Sequence, residues 1–198
     1  MFAADPAAYS AIRHFVEAVA PVPPAEWSHF EGMLRSVHLE RGQVLTRAGE
    51  VADRFAFVAR GVVRKVHVTP QGRSVTRGFG GPGELVGAYV SLITQTLSHL
   101  TVEALVDTQV ISVAWQSFVQ LYDRHPCWDR VGRRIAEQAL VERETRALEL
   151  LTLSAAERYS RFCAQHAAIL PSLHQYDIAS YLGITPVSLS RLRSQRSR

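Results

Sequence analysis

The 198-residue chain predicts an α+β fold in which an N-terminal antiparallel β-barrel or jelly roll is followed by one long helix and a C-terminal all-α unit. Three observations predict it. Ten of the twelve glycines fall between Gly32 and Gly87, among short runs of Val, Phe and Thr, as in strands joined by tight turns. Residues 127–170 then contain no proline and a single glycine, Gly132, so that stretch is helical. Near the C-terminus, two short segments with helical spacing flank Gly183.

In chain order, residues 6–20 and 25–34 have helical spacing and cap the barrel. Candidate strands follow at 37–39, 43–46, 54–59, 62–68, 74–79, 85–88, 101–105 and 109–113. In the fourth run Val62, Arg64, Val66 and Val68 alternate with Val63, Lys65 and His67. Thr69-Pro70-Gln71-Gly72 reads as the hairpin turn behind it. Past Pro126, Trp128, Val131, Ile135 and Ala139 recur at helical spacing, as do Ala136, Leu140, Ala147 and Leu151. Two apolar stripes therefore run along a helix of about 24 residues, roughly 36 Å long. One stripe can lie on the chain's own barrel while the other meets a partner helix, with Glu142, Arg143, Glu144 and Arg146 suiting a partly solvated seam. A homodimer is the expectation. Ser154-Ala155-Ala156-Glu157 is a capping box for a further helix, expected to reach about Ala168 before Pro171.

The net charge of +4 is unevenly placed. Residues 1–177 carry 18 basic and 18 acidic side chains, whereas the last 21 residues hold Arg191, Arg193, Arg196 and Arg198 and no acid. A neutral body with a basic tip suits a polyanionic partner at one end. Cys127 and Cys163 lack the spacing of zinc or iron–sulfur ligands and read as reduced structural thiols, so no metal site is expected. The N-terminus has no basic region followed by an apolar run, and the longest uncharged stretch, 85–102, is too rich in Ser, Thr, Gln and His for a bilayer core. The expectation is a cytoplasmic chain with no membrane partner.

The segment QYDIASYLGITPVSLSRLRS, residues 175–194, meets the constraints of a helix-turn-helix. Ile178 and Leu182 face inward on the first helix, and Ala179 is small where two helices touch. Gly183 supplies the positive φ of the turn, Ile184 anchors it, and Leu189 and Leu192 are the inward residues of the second helix. Thr185 is its N-cap and Pro186 its first residue. The outward face offers Val187, Ser188, Ser190, Arg191, Arg193, Gln195 and Arg196. A helix fits the major groove of duplex DNA, where Arg bonds guanine bidentately and hydroxyls meet bases or phosphates. Arg191 is the leading candidate for a base contact, and Arg193 and Arg196 for phosphate. Tyr176 and Ser180 are candidates for backbone contacts. Only residues 170–173 separate this unit from the helix before it, so any wing is reduced or absent.

A glycine-punctuated barrel, a long helix and a C-terminal helix-turn-helix, in that order, resemble the Crp–Fnr superfamily of bacterial transcription regulators. The most specific stretches are GQVLTRAGEVADRFAFVARGVVRKVHVTPQGR, similar to the family's opening barrel strands, and IASYLGITPVSLSRLR, similar to its recognition motif. The resemblance implies a cyclic-nucleotide-binding-like sensor barrel (1–126), a dimerisation helix (127–152) and a DNA-binding unit (153–198). It further implies an inverted-repeat operator, Arg191 and Ser188 at contact positions, and RNA polymerase as a partner if the protein activates. Val187 departs from the Glu of many members.

The effector region departs further. Gly87 matches the glycine of the family's phosphate-binding cassette, with Ala88 at the acidic position, Tyr89 beside it, and Ser98 and His99 where Arg and Ser or Thr are usual. No Lys or Arg occurs between residues 78 and 123, so the cassette has no cation of its own for a buried phosphate. Cyclic AMP is therefore not the expected effector, and no other cofactor is identifiable. No His-x-His pair, nucleophile elbow or P-loop points to an enzyme. The alternative is a non-DNA-binding ligand-sensing or scaffold module with a basic C-terminal tail.

Overall fold

The computed structural model of the chain describes residues 6–69 and 72–196. Pro70 and Gln71 of the expected hairpin turn, and Arg198, lie outside the described residues. Helices α1 (Pro6–Val19) and α2 (Pro24–Glu31) precede the strands. These are β1 (Arg35–Leu39), β2 (Val44–Thr46), β3 (Arg54–Arg60), β4 (Val63–Val68), β5 (Ser74–Gly80), β6 (Leu85–Val86), β7 (Thr101–Ala104) and β8 (Thr108–Ala114). Each of the eight expected strands forms, with ends displaced by one or two residues.

They pair antiparallel into two sheets, ordered β1-β8-β3-β6 and β2-β7-β4-β5. Val58, Val63, Val86, Val102 and Val110 are fully buried between the sheets, the core that β-branched alternation prescribes. Gly61 links β3 to β4 at φ 90°, and a Cβ there would sit 2.4 Å from Thr108 Oγ1 and 2.6 Å from Thr108 Cα. Neither the backbone conformation nor the space admits a side chain.

Two helices stand where none was expected, α3 (Tyr89–Thr94) and α4 (Trp115–Arg124). α4 follows β8 directly and, with α1, α2 and the start of the next helix, closes an aromatic core of Trp27, Phe30, Phe55, Phe118 and Trp128. Glu26 is buried beneath it, its carboxylate accepting from Trp128 Nε1 at 3.1 Å and Arg124 Nε at 3.0 Å. The bond from Trp128, then that from Arg124, holds its pKa below the usual value, against the opposing effect of burial.

The long helix α5 (Pro126–Thr152) has 27 residues, three more than expected, because His125 caps it by accepting the Cys127 amide at 3.1 Å. Trp128 and Val131 are buried and Ile135 packs on the same core. The second stripe, Ala136, Leu140, Ala147 and Leu151, is exposed, Leu140 to 59% and Leu151 to 85%, and so are Val141 (64%) and Leu148 (59%) beside it. α6 (Ala155–Gln165) opens on the reciprocal Ser154/Glu157 capping box and stops short of Ala168. The chain turns there because His166 leaves helical geometry and leads into a 3₁₀ turn, Leu170–Ser172. Among the described residues no helix is long and apolar enough to cross a membrane.

Candidate nucleic-acid interface

The last two helices are α7 (Gln175–Leu182) and α8 (Pro186–Arg196). Gly183 ends α7 at φ 69°, and its amide returns to Ser180 O at 3.2 Å. Thr185 Oγ1 then accepts the Ser188 amide at 3.1 Å, which caps α8, and Pro186 occupies the first helical position where an amide is dispensable. Ile178, Ala179, Leu182 and Leu189 are buried, and Ile184 and Leu192 pack against them. The inward set read from the sequence is therefore the core of this pair.

The outward set divides. Thr185, Pro186, Val187, Ser190, Arg191 and Arg193 are exposed, while Ser188 is half-buried and its hydroxyl lies 2.9 Å from Thr185 Oγ1, inside the cap. Gln195 and Arg196 belong to α8, but their side chains lie outside the described residues. On α7, Tyr176 is exposed, whereas Ser180 Oγ accepts the Thr76 amide of β5 at 3.0 Å and so faces the barrel.

That bond belongs to a broad contact between the helix-turn-helix and its own barrel. Val62, Phe79 and Leu105 from the barrel share one core with Tyr159, Phe162, Ile169, Ile178 and Leu182. Phe79 meets the rings of Phe162 at 5.9 Å and Tyr181 at 5.6 Å, and the Arg146 guanidinium lies 3.6 Å over the Tyr181 ring. His166 is wedged among Phe79, Phe162 and Tyr181, and burial, then the charges of Lys65 and Arg146, holds its pKa below the usual 6.5. At the rim, Arg64 of β4 bonds Glu103 of β7 through Nε at 2.9 Å and also pairs with Asp177 in the first turn of α7. Asp177 thus neutralises Arg64 while complementing the positive end of its helix.

The comparisons with known proteins bear on both halves. Residues 36–125 match the family model of the cyclic nucleotide-binding domain. The nitrogen fixation regulation protein FixK of Bradyrhizobium diazoefficiens is 28% identical over 189 residues, 88% of this chain and 76% of that protein. The transcriptional activator protein FnrA of Stutzerimonas stutzeri is 27% identical over 165 residues, 78% of this chain and 67% of its own. Over most of its length the chain is thus similar to transcription regulators of the Crp–Fnr kind. Its fold matches that of FixK2 from Bradyrhizobium japonicum with a TM-score of 0.70 at 24% identity, covering 82% of this chain and 83% of that one.

The residues of the expected cassette are occupied internally. Gly87 is packed so that a Cβ would lie 3.1 Å from Phe55 Cβ, and Ala88 is buried in the same core. Burial raises the Tyr89 phenol far above its ordinary pKa, so it stays neutral. Ser98 is buried with its hydroxyl donating to Leu100 O at 2.7 Å, closing a turn, while His99 is exposed and its carbonyl lies 2.8 Å from His67 Nδ1. Lys65, the chain's single lysine, comes from β4 and lies along Gly78, its Cε 3.1 Å from where a Cβ would be. Burial lowers its pKa, opposed by Glu84 and Glu142. A glycine facing a lysine across a strand pair is the only signal in the sequence that could have found it.

Proposed function

We propose that this chain is a Crp–Fnr regulator that works as a cytoplasmic homodimer in which α8 of each protomer enters the major groove of an inverted-repeat operator. Residues 1–126 form the sensor, 127–152 the dimerisation helix and 153–198 the reader. The observation that carries the reading is α8 itself: its inner face is buried through Leu189, its start is fixed by Thr185, and Arg191 and Arg193 are left exposed on its outer face. The exposed leucines of α5 support the pairing of two copies, which sets the two readers about 34 Å apart on one face of the duplex. The barrel is proposed to respond to something other than cyclic AMP, because Ala88, Ser98 and His99 offer no phosphate-binding cation or acid. If the protein activates, RNA polymerase is a further partner.

Genome-wide mapping of bound sites, followed by mobility shifts on a mapped site, tests the reading. Arg191→Ala is expected to lose about 1–3 kcal/mol on the operator and to relax base preference at one position. Arg196→Ala is expected to weaken all sequences alike and reduce the salt slope by about one. Untouched operator affinity in Arg191→Ala overturns the placement of the recognition helix. Absence of both specific retardation and salt dependence returns the chain to the scaffold reading.

A further inference from the structure

On the outward stripe of α8, residues 187, 190, 191 and 194 stand at helical spacing. Two of the hydroxyls near this stripe are already engaged. Ser188 lies within the cap, and Ser194 Oγ donates to Ser190 O at 3.1 Å. The side chains facing outward at the start of the helix are Val187, Ser190 and Arg191. Val187 is 62% exposed, an aliphatic group in the middle of a polar, basic surface. A β-branched residue at an exposed helical site brings no packing and slightly lowers helix propensity, so local folding does not account for it. An aliphatic side chain can neither donate to guanine nor accept from cytosine. The one apolar feature presented by base edges in the major groove is the thymine 5-methyl.

We infer that Val187 reads a thymine methyl group, and that it does so as a pair with Arg191 on guanine. The inference rests on the DNA-reading role proposed above. Four residues of helix rise about 6 Å, against about 3.4 Å per base step, so the thymine lies within two steps of the guanine in each half-site. The half-site chemistry thus combines a bidentate guanine contact with an apolar methyl contact.

The test begins with selection of operators from a randomised duplex pool by the full-length protein. Each thymine of the selected site is then replaced in turn by deoxyuridine, which removes only the methyl group. One position per half-site, within two steps of the Arg191-dependent guanine, is expected to lose about four-fold in affinity on this replacement. Val187→Ala is expected to abolish that loss while retaining the guanine preference, and Val187→Glu to select a different base there. A selected motif in which every thymine tolerates deoxyuridine overturns the inference and leaves DNA reading intact. So does a Val187→Ala protein with unchanged methyl sensitivity. Failure to select any motif overturns the DNA-reading role itself.

Discussion

Replacing Arg64 with Met is expected to loosen the contact between α7 and the barrel. Arg64 has only 16% of its side chain exposed and Asp177 only 5%, so the substitution leaves the Asp177 carboxylate desolvated with no counter-charge. Breaking a buried ion pair from one side costs about 3–5 kcal/mol, because the remaining ion keeps its desolvation penalty. Glu103, 23% exposed, can turn toward water and adds little. The cost falls on the contact between α7 and the barrel rather than on the valine core between the sheets. Urea unfolding by two probes reads it. Trp27, Trp115 and Trp128 all belong to the N-terminal aromatic core, so fluorescence follows the barrel end, while far-UV circular dichroism also follows α6, α7 and α8. The unmodified protein is expected to give coincident transitions. In Arg64→Met the dichroism transition is expected to begin more than about 1 M urea earlier, given an m-value of a few kcal/mol per molar. Arg64→Met/Asp177→Asn, which removes the stranded charge, is expected to recover most of the loss. Coincident transitions in Arg64→Met at an unchanged midpoint refute the assignment.

Gly61→Ala is expected to destabilise the barrel by about 2–4 kcal/mol, combining a left-handed φ with a clash against the Thr108 backbone, measured as a shift in the fluorescence midpoint. His166 titrates lower in the folded chain than unfolded, so the unfolded state takes up its proton first as the solution is acidified. Its contribution to stability is present above pH 6.5 and is lost as pH falls below that value through the lower folded-state pKa; His166→Phe is expected to flatten this part of the pH–stability profile. Leu148→Glu is expected to weaken self-association at least about 100-fold by sedimentation, with the dichroism spectrum unchanged because Leu148 is exposed in the protomer.

The strands were legible because Gly61, Gly72, Gly80 and Gly83 mark turns and strand ends, and β-branched alternation needs no tertiary information. The helix-turn-helix was legible because Gly183, Thr185 and Pro186 each answer a local backbone requirement. What escaped depends on distance or on weak local signals. α3 is only six residues long and is followed by Gln95 with a left-handed φ of 54°, and α4 begins after Ala114, which has no side-chain cap to announce it. The Arg64–Asp177 pair spans 113 positions, and nothing local to either residue names the other. The role of Ser180 is similarly set by Thr76, 104 positions away, rather than by its place on α7.

Val62, Phe79 and Leu105 complete a core that α6, α7 and α8 cannot fill alone. The reader is therefore not a detachable cassette. A hybrid that joins this barrel at Leu153 to the helix-turn-helix of a relative inherits an apolar surface shaped for Phe162, Ile169 and Tyr181, and a guanidinium waiting for the Asp177 carboxylate. With α8 reading DNA as proposed, new operator specificity is better installed by exchanging Val187, Ser190 and Arg191, which are exposed, than by exchanging the unit.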